Sequence, residues 1–141
     1  MKKNCILIIT SRFYPEISSS LESEAVNLIK EEGYDYKLID VPGAFEIPAA
    51  IAYAAKSSKY IGYIALGCVI RGETSHYDYV CNESARALMQ LSIEGLSIGY
   101  GILTCENREQ AIVRASPDGL NKGKAATIAC LRMIALKKEI D

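Results

Sequence analysis

The sequence predicts an α/β fold, a parallel sheet with helices on both faces, and three observations carry that expectation. Continuously apolar runs, CILIIT (5–10), YIGYIALGCVI (60–70) and LSIGYGILT (96–104), have the composition of strands covered on both sides. The segments between them show helical periodicity, and parallel neighbours require such crossovers. Half of the 141 residues are hydrophobic and the net charge is only −1, a balance that buries a core instead of leaving the chain disordered. The length suits one domain.

The elements follow in order. After the first strand, SRFYPEISSS (11–20) reads as a loop because of Pro15 and its serines. Ile17, Leu21, Ala25, Leu28 and Ile29 then recur at helical spacing, and Gly33 closes that helix. YDYKLIDV (34–41) mixes charged and apolar residues, as an edge strand does. VPGAFEIP (41–48) is a turn, with Pro48 fitting only the first turn of the next helix. That helix, AAIAYAAK (49–56), is apolar almost all round, so it is expected to be deeply buried or covered by another subunit. Beyond the strand at 60–70, residues 78–94 read as a helix with Val80, Ala87, Leu88 and Leu91 on one side. A short helix at 106–115, a loop at 116–123 and a last helix at 124–138 complete the chain. Ligands of such sheets bind beyond the carboxyl ends of the strands, here in the loops that start at Ser11, Pro42, Arg71 and Cys105.

Several classes of function are disfavoured. A near-neutral chain lacks the basic face that nucleic acid demands. No apolar run reaches the roughly 18 residues of a membrane span, and MKKNCILIIT reads as the approach to a strand, not a cleaved signal. Five cysteines without a C-x-x-C pair fit free thiols in a reducing cytoplasm. One histidine and scattered cysteines do not make a zinc site, and neither a dinucleotide nor a P-loop glycine motif is present. No metal or cofactor is expected.

The densest chemistry is RGETSHYDYVCNE (71–83). His76, the only histidine, is of the residue type that exchanges protons near neutrality, and it could equally be a surface or capping residue. Gly72, Thr74 and Ser75 precede a helix whose free N–H groups would attract phosphate, while capping by Thr74, Ser75 or Asp78 explains the same pattern. Arg114 offers a planar fork to phosphate, and with Lys122 it flanks the loop before the last helix; both could be solvated surface. Glu46 could accept hydrogen bonds from hydroxyls or simply favour a helix N-terminus. Phe13 could stack on a ligand or pack under its loop. Ser18–Ser20 could cradle a flavin phosphate. Cys81, five residues after His76, is expected to point into the core.

VPGAFEIP (41–48), GCVIRGETSHYDYVCNE (67–83), GILTCENREQA (101–111) and NKG (121–123) together resemble the lumazine synthases, from about Cys5 to the last helix. The resemblance implies one domain over residues 1–141, a flavodoxin-like three-layer sandwich with a four-stranded parallel sheet. It also implies a transferase of riboflavin biosynthesis. Such an enzyme joins 5-amino-6-ribitylamino-pyrimidinedione to 3,4-dihydroxy-2-butanone 4-phosphate and yields 6,7-dimethyl-8-ribityllumazine, phosphate and water.

By motif, the resemblance gives Phe13 the stacking role on the pyrimidine. Ala44, Phe45 and Glu46 form the ribityl site, and Val69 and Ile70 meet the ring through their backbone. Gly72, Glu73 and Thr74 line the phosphate site, with Glu73 expected to point away because an acid there opposes an anion. His76 is the proton-transfer residue and Arg114 the phosphate-binding arginine. Lys122 lies near both substrates. Tyr100 lines the site from a neighbouring subunit. Tyr14 stands where a small polar residue is common. The family forms pentamers or sixty-subunit shells with active sites between subunits. The chain reaches its first strand within a few residues, so the extra N-terminal strand of many relatives is not expected, which favours a free pentamer. A non-catalytic flavin- or phospho-ligand-binding module of flavodoxin type is the alternative.

Overall fold

A computed structural model describes residues 4–141; the expected single unit also includes residues 1–3, which lie outside the described residues. In chain order the elements are β1 (Cys5–Ser11), α1 (Pro15–Glu31), β2 (Asp35–Val41), a 3-10 turn (Ala44–Glu46), α2 (Ile47–Ala55), β3 (Gly62–Ile70), α3 (His76–Ile93), β4 (Ile98–Cys105), α4 (Arg108–Ala115) and α5 (Lys122–Ile140). The four strands are parallel in the order β2-β1-β3-β4. This is a flavodoxin-like α/β sandwich, as expected.

Alternation along β1 divides the core. Ile6 and Ile8 face a layer built from α1, α4 and α5, whereas Leu7 and Ile9 face α2 and α3. Every residue from Ile6 to Ser11 is buried, which explains the absence of polar alternation that marked this run. Strand β2 is different: Asp35, Lys37, Leu38 and Asp40 are exposed, as suits an edge.

Helix boundaries depart from the sequence reading in two places that matter. SRFYPEISSS is mostly not a loop, because Pro15 starts α1. Proline suits a first helical turn, where its missing N–H is not needed. Ser18 is buried and donates to the Ser11 carbonyl at 2.6 Å, and Ser20 donates to the Ala115 carbonyl at 3.0 Å. The serines therefore tie α1 to β1 and α4, so the hydroxyls of Ser18 and Ser20 are spent and do not form the flavin-phosphate cradle that the sequence allowed. Second, α3 begins at His76 instead of residue 78, so the histidine sits on the first turn of a helix and not in the loop before it.

Close approach of α5 to the sheet dictates one glycine. A Cβ on Gly99 would lie 2.1 Å from the Ala126 carbonyl oxygen and 3.2 Å from Cys130 Cβ. The first obstacle is backbone, so it cannot rotate away. Gly99→Ala is expected to lower stability by about 1–3 kcal/mol, the usual cost of overpacking, read as a lower urea midpoint at unchanged slope.

Candidate active site

The sheet order reverses between β1 and β3, and the loops leaving these strands diverge there. They open a crevice of the kind that holds ligands in open α/β sheets. A cavity of roughly 730 Å³ occupies this place. Its first wall is Phe13 and Tyr14, its second the turn Pro42–Glu46, and its floor Cys68, Val69 and Ile70 at the end of β3. Gly72, Thr74 and His76 form the rim, with Tyr77, Tyr79 and Val80 beside them on α3.

Of the residues singled out from the sequence, Phe13, Ala44, Phe45, Glu46, Val69, Ile70, Gly72, Thr74 and His76 thus meet around one space. Phe13 is 70% exposed and meets the Tyr14 ring edge-on at 5.0 Å and 65°. One face of a large apolar ring is left to solvent at the mouth, whereas Tyr14 is half-buried against the core. The Glu46 carboxylate folds back over Gly43, where an added Cβ would lie 3.6 Å from its Oε1. Thr74 Oγ1 accepts from the His76 backbone N–H at 3.3 Å, a local turn two residues long, while the N-cap residue Ser75 makes no side-chain cap bond, so the expected capping is not seen. Glu73 is exposed and lies outside the cavity lining.

Arg114, Lys122 and Tyr100 do not border the cavity. Arg114 lies in the last turn of α4, where its Nη1 donates to the Gln110 carbonyl at 3.1 Å. That helix belongs to the α1/α5 layer, on the opposite side of the sheet from α3 and His76. Lys122 is exposed at the first residue of α5, and Tyr100 lies on the outer strand β4. Within one chain the guanidinium and the imidazole therefore serve different faces.

The loop carrying Gly72 and Thr74 is braced at its base by Arg71. Its Nε donates to Glu106 at 2.7 Å and its Nη2 to Asp78 at 3.3 Å, and its guanidinium lies 4.3 Å above the Tyr77 ring centroid. The Arg71 backbone N–H donates to the Cys105 carbonyl at 2.9 Å. Burial, above all, pushes the Tyr77 phenol up to about 12, so it stays protonated. Cys81 is only half-buried and so does not point fully into the core as expected. All five thiols are free. Among the described residues, no group of three or more His, Cys, Asp or Glu could hold a metal, and no helix is long and apolar enough to cross a membrane.

Sequence reasoning pointed to Tyr14 beside the ring pocket but missed Cys68, Tyr77, Tyr79 and Val80 as lining residues. A signal existed: Tyr79 and Val80 follow His76 at i+3 and i+4, which places them on the same helical face. It becomes readable only once the helix is known to start at His76.

An apolar, aromatic-lined cavity at the switch point of a flavodoxin-like sheet, with an imidazole at its rim, defines a small-molecule site of an α/β enzyme. Residues 3–138 match the family model of 6,7-dimethyl-8-ribityllumazine synthase. A protein of that name from Bartonella henselae is 54% identical over 140 residues, covering 97% of this chain and 90% of the relative. Others of that name, from Agrobacterium fabrum and Sphingopyxis alaskensis, are 49% and 48% identical. The first covers 99% of both chains and the second 95% of both. The chain belongs to the 6,7-dimethyl-8-ribityllumazine synthase family.

Two buried thiols give a pH dependence whose sign can be worked out. Burial, above all, pushes Cys68 at the cavity floor and Cys130 on α5 from 9.0 up to about 12. The unfolded chain releases these protons above pH 9 while the folded chain holds them to about pH 12. Their contribution to stability is complete below pH 9 and is lost as pH rises through that window. The urea midpoint is expected to fall between pH 8 and pH 10.5, and to fall less in Cys130→Ala than in the wild type.

Proposed function

We propose that the protein condenses 5-amino-6-ribitylamino-pyrimidinedione with 3,4-dihydroxy-2-butanone 4-phosphate. The observation that carries this reading is the single cavity around which an exposed stacking ring, a turn bearing a carboxylate, a strand end and an imidazole converge. Phe13 stacks on the heterocycle, Ala44–Glu46 receives the ribityl chain, and the Val69 and Ile70 backbone meets the ring edge. The primary amine attacks the ketone carbonyl and loss of water leaves an imine. Inorganic phosphate is eliminated, the ribityl-bearing nitrogen closes the ring, and a second water leaves.

Both reactants are intrinsically reactive, so holding them together supplies most of the rate, with effective molarities of roughly 10⁵–10⁸ M available from orientation. His76 moves protons at the imine and elimination steps. Gly72 and Thr74 bound the phosphate end. Glu73 points away and spares the anion a like charge. The Ser-rich segment that would have served a flavin-binding module is helix and core, which leaves that alternative without its phosphate site.

The proposed anion charge comes from a second copy. Arg114 and Lys122 of a neighbouring chain complete the phosphate site, and Tyr100 of that neighbour closes the ring site. Two observations support a ring of subunits. Arg114 and His76 lie in different layers of one chain. Helix α2, apolar nearly all round, also buries only Ile47, Pro48 and Ile51 and leaves Tyr53 74% exposed, a face that a partner would cover. Head-to-tail contacts close into rings, and a free pentamer is the preferred state. The domain is proposed to be a single unit acting in the cytoplasm on small molecules.

Mixing the two substrates with the protein should give a fluorescent lumazine and one released phosphate per turnover; a bound flavin with no turnover would favour the binding module. His76→Ala is expected to lower kcat by roughly 10²-fold, the low end of general acid–base contributions, with turnover still measurable in correctly assembled protein. Arg114→Ala should raise KM for the butanone phosphate, since a charge-assisted hydrogen bond is worth about 1.5–3 kcal/mol. Coassembling these two variants regenerates intact sites where an Arg114→Ala chain supplies His76 and its neighbour supplies Arg114. With butanone phosphate held well below its wild-type KM, so that sites lacking Arg114 stay slow, activity should then climb toward roughly a quarter of wild type in a head-to-tail ring. No recovery in mixed assemblies verified by mass would refute the shared site.

A further inference from the structure

Arg12 immediately precedes Phe13, yet its side chain turns away from the cavity and binds two acids on different elements. Its Nη2 donates to Glu22 of α1 at 2.6 Å, and its Nε donates to Asp40 of β2 at 2.9 Å. Glu22 is itself fixed from below, because the fully buried Thr10 hydroxyl donates to it at 2.8 Å. The guanidinium is half-buried and its carboxylate partner Glu22 more so. A planar fork that satisfies two carboxylates in different directions is a geometric clamp that a lysine does not reproduce.

What the clamp joins gives it meaning. The β1–β2 ladder ends at Ser11 opposite Val41. Beyond that point the two segments separate into the opposite walls of the cavity, Phe13–Tyr14 on one side and Pro42–Glu46 on the other. Among the described residues, Arg12–Asp40 is the only side-chain hydrogen bond linking residues 12–14 to residues 40–46. We propose that Arg12 is a positioning residue that sets the separation of these walls, and with it the fit of the ring between Phe13 and the ribityl turn. The inference rests on the proposed placement of the pyrimidine in this cavity. It assigns Arg12 no contact with either substrate.

The physical expectation is selective. A wall that moves loosens the ligand held between both walls and leaves the phosphate end, bounded by Gly72 and Thr74, as it was. Misplacement on the scale of an ångström can cost up to about 10²-fold, so Arg12→Ala should raise KM for the ribitylaminopyrimidine by roughly tenfold. Asp40→Ala removes only the exposed arm, worth at most about 1 kcal/mol in surface pairs, and should raise the same KM by roughly two- to fivefold. Arg12→Lys should not restore the wild-type value.

Steady-state kinetics with each substrate varied in turn tests this on assembled wild type and variants, with thermal midpoints measured in parallel. Support is a rise in KM for the pyrimidine with KM for the butanone phosphate unchanged. The inference is overturned if both variants keep the wild-type pyrimidine KM, or if both KM values rise together in proportion to lost stability. Should Arg12→Ala fail to fold, Asp40→Ala decides alone, because its side chain is largely exposed and its loss leaves Glu22 paired. Wild type that turns over normally while the variants match it removes the role of Arg12 alone; wild type without turnover removes the functional reading instead.

Discussion

Strand β1 is the constraint on which the rest of the molecule depends. It is hydrogen-bonded along both edges, to β2 and to β3, and covered on both faces, so Ile6 through Ser11 are all buried. A strand held in four directions has no freedom of register, since a slip by one residue would exchange Ile6 and Ile8 with Leu7 and Ile9 between the two layers. Its carboxyl end is therefore a fixed point. The chain leaves it at Ser11, passes through Arg12 and Phe13, and is caught again at once by Pro15. The short loop that presents the exposed Phe13 ring hangs between two rigid elements.

From that fixed point the site assembles by topology. The return from β2 crosses β1 to reach β3, so the loops after β1 and β3 part, and the cavity is the space they vacate. The residues around it are apolar or aromatic apart from Glu46, Thr74 and His76. Such a lining is suited to a flat ring more than to a charge. Its own strongest cations are already engaged: Arg71 by Asp78, Glu106 and the Tyr77 ring, and Arg12 by Glu22 and Asp40. Among the described residues, no uncommitted guanidinium borders the cavity. The proposal that a neighbour supplies Arg114 is drawn from this division.

Much of the layout was legible in the residues. The three apolar runs, the mixed edge strand and the glycine that closes α1 gave the alternation of elements, because burial on both faces suppresses the period-2 pattern and exposure restores it. The loops at Ser11, Pro42 and Arg71 were legible as neighbours at one sheet edge for the same topological reason, whereas the loop at Cys105, expected beside them, does not line the cavity. Other features were not. SSS in SRFYPEISSS looked like a loop because serine is a weak helix former in isolation, but Ser18 and Ser20 spend their hydroxyls on the Ser11 and Ala115 carbonyls, and distant partners cannot be seen locally. Tyr77 and Tyr79 were passed over because their faces depend on where α3 begins.

The sequence by itself determined the kind of layer each segment joins and the residue types gathered at the carboxyl edge, since hydrophobic period and local turn chemistry are properties of neighbours along the chain. Only the tertiary structure decided the strand order, the layer to which each helix returns, and which charges are left unpaired. Those follow from contacts between residues far apart in sequence, such as Arg12 with Asp40, Arg71 with Glu106 and Gly99 with Ala126, whose geometry exists only once the sheet has closed.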